Sequence, residues 1–292
     1  MARISLLILA ALCALAGPAA VPAGAEGTPS QIVFVGQRSG QSDLYVANTD
    51  GTGRRNITRT AARSETMPAV SPDGSTVAFV SSAGGIWTIG IDGTGLTQLT
   101  GNASDREPDW FPDGSMLVFT RRQGDHDIWT IRADGTAPTK VLDNDVTDET
   151  PAVSPDGQWI AFSAPPVGMF IVHPDGSGLQ YLASYFYCRK DQAWAPDSTR
   201  FAFTQCEFDG SSNIWIFELG SFGSTKVTTD AGQETRPAWS EDGLRIAYTG
   251  QVTGTGTNTA IFEVNVDGSG RLPLTPTSQR LIESDAEHVP SA

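Results

Sequence analysis

One position in a recurring phrase of this chain gathers most of the side chains able to do chemistry together. Three residues before a repeated proline stand Glu65, Asp105, Asp148, Glu234 and Glu287, and the matching place in a weaker copy holds Arg189. Carboxylates spaced around a common opening focus negative potential and draw in a metal ion, a cationic ligand or the basic loop of a partner. The competing explanation is structural, with each acid accepting backbone or arginine hydrogen bonds from the neighbouring repeat. Basic residues are interleaved at Arg63, Arg106, Lys190 and Arg236, and His288 sits beside Glu287.

Other reactive types are sparse. His126, His173 and His288 lie far apart in sequence and show no metal-ligand spacing. No Gly-x-Ser-x-Gly nucleophile elbow occurs. Cys188 and Cys206 remain once an N-terminal leader is set aside, and two cysteines in an exported chain are expected to pair. Tyr185, Tyr187 and Lys190 surround the first of them, giving an aromatic and basic edge that either contacts a partner or packs inward.

The elements that must position these residues follow from a repeat. Pro68-Ala-Val-Ser-Pro-Asp-Gly74 returns as Pro108-Asp-Trp-Phe-Pro-Asp-Gly114, Pro151-Ala-Val-Ser-Pro-Asp-Gly157, Pro237-Ala-Trp-Ser-Glu-Asp-Gly243 and, more weakly, Gln192-Ala-Trp-Ala-Pro-Asp-Ser198. The step is 40 to 45 residues, the length of a propeller blade of four short strands. Each copy continues into a strand such as Ile160-Ala-Phe-Ser163 and then a second such as Asp127-Ile-Trp-Thr-Ile131, with period-two alternation. Asp-Gly steps such as Asp92-Gly-Thr-Gly95 mark tight hairpins, and hairpin chemistry is favoured there over calcium binding. Six second strands and six third strands predict an all-β, six-bladed propeller of four-stranded antiparallel blades.

Closure is also expected from sequence. The chain enters the repeat at a second strand, Ile32, and Glu287-His-Val-Pro-Ser-Ala292 resembles the inner-strand opening Glu65-Thr-Met-Pro-Ala-Val70. Pairing of the N- and C-terminal segments would close the ring. Residues 1–25 carry a basic start, an apolar stretch and an Ala23-Gly-Ala25 cleavage site, which predicts a cleaved signal peptide ahead of one domain at 26–292. The net charge of −14 argues against nucleic acid and anionic membranes.

The phrase Pro-x-Trp-Ser-Pro-Asp-Gly-x-x-Ile-Ala-Phe resembles the WD40-like PD40 repeats of the TolB-like β-propeller family, over roughly residues 30 to 292. The resemblance implies a propeller standing alone, without the additional α/β domain of TolB, that binds through its mouth in the cell envelope. The expectation is an exported, monomeric, non-enzymatic binding module in the periplasm or outside the cell. Its partner is a protein or small envelope ligand of basic character, with no membrane insertion. The mouth residues are Glu65, Asp105, Asp148, Arg189, Glu234, Glu287 and His288. The alternative is a lactonase- or lyase-like enzyme acting on a sugar or lactone, with calcium or another metal in the channel; otherwise no cofactor is expected.

Overall fold

The Ile-Ala-Phe phrase makes a strand with two unlike faces, and that difference sets how the sheets stack. The computed structural model describes residues 31–38, 40–60, 63–184, 188–252, 258–275 and 282–289, and no helix occurs among them. These residues form six four-stranded antiparallel sheets.

Blade 1 runs from the inner strand Glu65–Val70 through Thr76–Ser81 and Ile86–Gly90 to the outer strand Thr97–Gln98. Blade 2 comprises Arg106–Trp110, Met116–Arg122, His126–Arg132 and Thr139–Lys140. Blade 3 follows with Glu149–Val153, Ile160–Ala164, Gly168–Val172 and Gln180–Ser184. Blade 4 holds Arg189–Trp194, Arg200–Cys206, Ser212–Glu218 and Gly223–Lys226. Blade 5 holds Glu234–Trp239, Arg245–Gln251, Thr259–Asn265 and Leu272–Pro273. In blade 6 the C-terminal strand Ile282–Val289 pairs with Gln31–Arg38, which continues to Gln41–Asn48 and Arg55–Asn56. Each inner strand touches the next, and Ile282–Val289 touches Glu65–Val70, so the ring closes through the two ends of the chain.

The hydrophobic core is divided among the six blade interfaces. One cluster of buried apolar residues occupies each of them. Within each second strand the aromatic faces the preceding blade, and the Ala or Val before it faces the following one. Ile160 and Phe162 pack with Val118 and Ile128 of blade 2, whereas Ala161 packs with Trp194 and Phe201 of blade 4. Both faces of every blade are therefore apolar, and a blade by itself would leave two such faces in water.

A second interface device is an indole clasp. Trp110 donates its ring N–H to the Ala69 carbonyl at 3.1 Å, Trp194 to Ala152 at 2.9 Å and Trp239 to Ala193 at 2.9 Å. Each clasp ties an inner strand to its predecessor. In blade 3 the matching position is Val153, and its backbone N–H is taken instead by the Asp109 carboxylate of blade 2 at 2.7 Å.

The turns after the first and third antiparallel strands point the same way and fall on one face of the ring; nine of them read Asp-Gly, and the first turn of blade 4 reads Asp197-Ser198. At ten of these turns an exposed aspartate, such as Asp73 or Asp92, accepts the backbone N–H two residues on. Hydrogen bonds from the following Thr hold the carboxyls of Asp50 and Asp92 below the ordinary range, and Asp73 is lowered first by the preceding Ser71 hydroxyl and then by Ser75. Glycine is demanded twice over at Gly93 and Gly135. Their φ values are +89° and +84°, and an added Cβ would meet the preceding blade's Ile57 or Leu99 carbonyl at 3.1 or 3.0 Å.

Replacing Trp194 by Phe should test the clasp. It removes one hydrogen bond, leaves the buried Ala152 carbonyl without its donor, and opens a small void. The expected loss is ~2–3 kcal/mol, read as a lower denaturant midpoint for the full chain. An unchanged midpoint would show that the clasp contributes nothing to blade association.

Candidate functional site

Every inner strand is the axial edge of its sheet, with no strand beyond it. Proline suits such an edge because it brings no N–H needing a partner. Pro68, Pro108, Pro151 and Pro237 line the axis at equivalent places, with Gln192 in blade 4. Just before them the strands bulge: the pairing register shifts between Thr66 and Ala69, and likewise in blades 2 to 5.

The bulge places one non-glycine residue per blade in the left-handed region. These are Met67 (φ 54°), Glu107 (55°), Thr150 (52°), Asp191 (56°) and Arg236 (56°). Each such residue carries a conformational cost of order 1 kcal/mol that glycine would escape. All five line an axial cavity of about 410 Å³. Its walls continue through Asp109, Val153, Trp194 and Trp239 to Pro155, Pro196, Ser240 and Glu241 in the turns.

Hydrogen bonds between blades hold this ring. Glu107 Oε2 accepts the Thr150 backbone N–H at 2.7 Å and the Thr120 hydroxyl at 3.3 Å. The Thr150 hydroxyl donates to Gln192 Oε1 at 2.7 Å, and Gln192 Nε2 donates to the Ser163 hydroxyl. Thr204 donates to Asp191 Oδ2 at 2.9 Å and accepts the Arg236 backbone N–H at 3.1 Å. The bulged N–H groups of blades 3 and 5 are thus satisfied by side chains of the preceding blades.

The cavity is narrow enough to strip water from carboxylates that it leaves only half-buried. Desolvation raises Glu107, and repulsion from Glu149 and Asp191 adds to it, against the Thr150 N–H bond. Asp109 is pushed up to about 6 by burial, although the N–H groups of Val153 and Trp110 pull the other way.

The acids anticipated at the mouth lie elsewhere. Glu65, Asp105, Asp148 and Glu234 are 1%, 0%, 0% and 1% exposed. None lines the cavity. The expected rim of ligand-facing carboxylates is therefore corrected at these four positions. The side chain two places along the strand, at the bulge, meets the axis, while the strand's first side chain turns into the sheet. Glu65 accepts from the Thr60 hydroxyl at 2.6 Å, Asp148 from Asn144 at 3.0 Å and Glu234 from Asn213 at 3.2 Å. Asp105 makes two bonds to Arg121, at 2.6 and 2.7 Å. Thr60 and Asn144 belong to the crossings between blades, so these acids anchor the chain as it enters an inner strand.

The sixth position is corrected too. Glu287 pairs with Val33 and His288 with Ile32, while Glu283 pairs with Gly36 and Ser284 with Val35. By register Glu283 occupies the place of Glu65, four residues before Glu287. Pro290 favours the other alignment in the sequence, but the observed register puts Ala286 where the prolines stand. The side chains of Arg189, Glu287 and His288 lie outside the described residues, as do Tyr185 and Tyr187. The histidines are not brought together: His126 gives its carbonyl to the Asp148 N–H, and His173 stacks on Trp159 at 3.9 Å. Among the described residues no three His, Cys, Asp or Glu side chains form a set that could hold a metal ion.

Cys188 and Cys206 form the expected disulfide, with Cα atoms 5.2 Å apart. It closes a short loop, a constraint of about 3 kcal/mol in the chain-entropy account. Lys190 is half-buried on the strand that follows it. Phe208, at the apex of the adjacent hairpin, is 84% exposed and extends this edge.

No recognised motif marks the residues at the axis, yet the sequence carries a signal of them. Within Glu-x-x-Pro and its copies the third position reads Met, Glu, Thr, Asp and Arg, while its neighbours repeat. A position that varies inside a repeat is free of the repeat's own packing duties.

Burial gives the anchoring acids a testable pH signature. Asp148 is pushed up to about 7 by desolvation, with Asp127 and Asp125 adding repulsion and Asn144 opposing it. Because the folded state holds this proton more tightly, the contribution favours folding at low pH and is lost as pH rises from ~4 through ~7. Asp148→Asn should remove that slope and raise stability at ~pH 8 by a few kcal/mol at most, since an amide oxygen can still accept from Asn144. Parallel wild-type and variant stability curves across this range would refute the assignment.

Comparison with known proteins agrees with the ring. A TolB homolog of Chlorobium luteolum is 34% identical over 136 residues, covering 46% of this chain and 31% of the relative. The match thus spans less than a third of that relative's length. The crystal structure of TolB from Acinetobacter baumannii superposes with a TM-score of 0.78 at 17% identity, over 89% of this chain and 67% of that one. An oligogalacturonate lyase in complex with manganese has the same fold at a TM-score of 0.61 and 13% identity, over 86% and 75% of the two chains. The chain belongs to the TolB beta propeller domain family, on a match that runs from residue 27 to residue 190.

Proposed function

We propose that this chain is an exported, non-enzymatic binding propeller that holds a segment of an envelope protein at its axial cavity. The observation that carries this is the ring of five strained, chemically unlike side chains lining one cavity in an otherwise repetitive fold. Strain of this kind persists where surrounding structure enforces it, and it clusters at ligand clamps. A volume of about 410 Å³ lies in the range of sites that enclose a small ligand or a few residues of peptide. The propeller of the TolB-named relatives supports the same class of role. Export rests on the leader read at residues 1–25, and no helix among the described residues is long and apolar enough to cross a membrane. The lyase-like alternative shares a fold with the manganese-bound lyase, and the fold is all that this likeness supports.

A steric block gives the direct test. Thr150→Phe fills the cavity without changing its charge. The full-length wild type should capture a partner from the native exported fraction, and the folded variant should lose at least ~10-fold of that capture. Equal capture by both proteins would move the binding surface away from the axis.

A further inference from the structure

The charge and free oxygen atoms of the cavity say what kind of group it accepts. Among the described lining residues, Glu107, Asp109, Asp191 and Glu241 face a single base, Arg236. Asp109 has both oxygens engaged, by the N–H groups of Trp110 at 2.9 Å and Val153 at 2.7 Å. It therefore supplies field and no contact. Glu107 and Asp191 differ: each spends one oxygen on the framework, Oε2 to Thr150 and Thr120 and Oδ2 to Thr204. Glu107 Oε1 and Asp191 Oδ1 have no hydrogen-bond donor among the described residues, and neither is a sealed-off buried atom. The two carboxylates repel one another across the opening.

We propose that the cavity takes an organic cation, an alkylammonium or guanidinium group, between Glu107 and Asp191, with its hydrocarbon stem along the proline and tryptophan walls. This rests on the reading of the cavity as the binding site. Such a cation donates to the two open oxygens and relieves their repulsion. Pro108, Pro151, Trp194 and Trp239 provide the apolar lining that a stem of three or four carbons requires. A bare divalent ion is served less well, since hard cations take six or more oxygens and the bulge ring offers two open carboxylate oxygens among the described residues, Glu107 Oε1 and Asp191 Oδ1. The guest is either a free amine or the basic side chain of a protein segment.

The charges acting on the site give binding a pH dependence. Glu149 and Asp191 press on Glu107, Arg236 lies in the same ring, and Glu241 lies at the turn end. By register Asp285 holds the corresponding bulge place in blade 6. Protonation of Glu107 removes half of the clamp, so affinity should fall on acidification.

Calorimetry on the full chain tests this with two probes, agmatine and a capped Ala-Arg-Ala peptide. Saturable one-site binding is expected at ~pH 7.5, weaker at ~pH 5. Glu107→Gln combined with Asp191→Asn should weaken it at least ~10-fold, while amide oxygens keep the bonds to Thr150 and Thr204. Tighter binding of the peptide assigns the guest to a protein side chain, and tighter binding of agmatine to a free amine. Absence of saturation by either probe at millimolar concentration would overturn the proposal, as would equal affinity in the double variant or full displacement by equimolar calcium. Should the double variant not fold, Arg236→Gln must bind agmatine more tightly than wild type, and an unchanged affinity would refute the clamp. Loss of partner capture in Thr150→Phe with no cation binding would leave the axial site standing and remove only its cationic guest.

Discussion

Each blade is buried on both faces, and this single requirement organises the molecule. Ile160 and Phe162 need blade 2 as much as Ala161 needs blade 4, so a sheet acquires a core only when flanked on both sides. A linear stack would leave two apolar faces at its ends. Closing the stack removes them, and the strand Ile282–Val289 completes the closure by pairing with Gln31–Arg38. In most interfaces a face bearing aromatic residues meets a mainly aliphatic one, as Trp194, Phe201 and Phe203 meet Ala161, Met169 and Ile171.

Closure has a consequence at the axis. Six inner strands brought together present unpartnered edges to a narrow space, and the chain manages those edges with prolines, bulges and borrowed side chains. Thr150 and Arg236 sit in a backbone region that disfavours them, yet their N–H groups are taken by Glu107 and Thr204 of the blades before. The same contacts that stabilise the interfaces therefore fix the geometry of the cavity. A guest meets a preorganised ring whose ordering costs were met during folding.

Carboxylates illustrate how one residue type serves three tasks in this fold. In the hairpin turns, exposed aspartates such as Asp92 accept local N–H and hydroxyl bonds and stay ionised at lower pH than usual. At the crossings, Glu65, Asp148 and Glu234 are buried against neutral donors, and desolvation favours their protonated forms. Around the axis, Glu107 and Asp191 face a cavity and keep an oxygen open. Environment assigns the task in each case, through hydration, hydrogen-bond supply and neighbouring charge.

The sequence by itself determined the repeat, the blade count, the strand alternation, the Asp-Gly turns and the pairing of Cys188 with Cys206. Those features are local, or are copied often enough for period and alternation to reveal them. Tertiary structure alone decided which side of the inner strand meets the axis. A bulge adds one residue to a strand and reverses side-chain direction past it, so counting along Glu65-Thr-Met-Pro could not tell Glu65 from Met67 as the one facing the cavity. It also decided the register of the closing strand, where Glu283 and Glu287 both precede plausible partners and only pairing with Gln31–Arg38 separates them. Patterns of period two show that a strand forms, whereas its register and facing depend on contacts with segments distant in the chain.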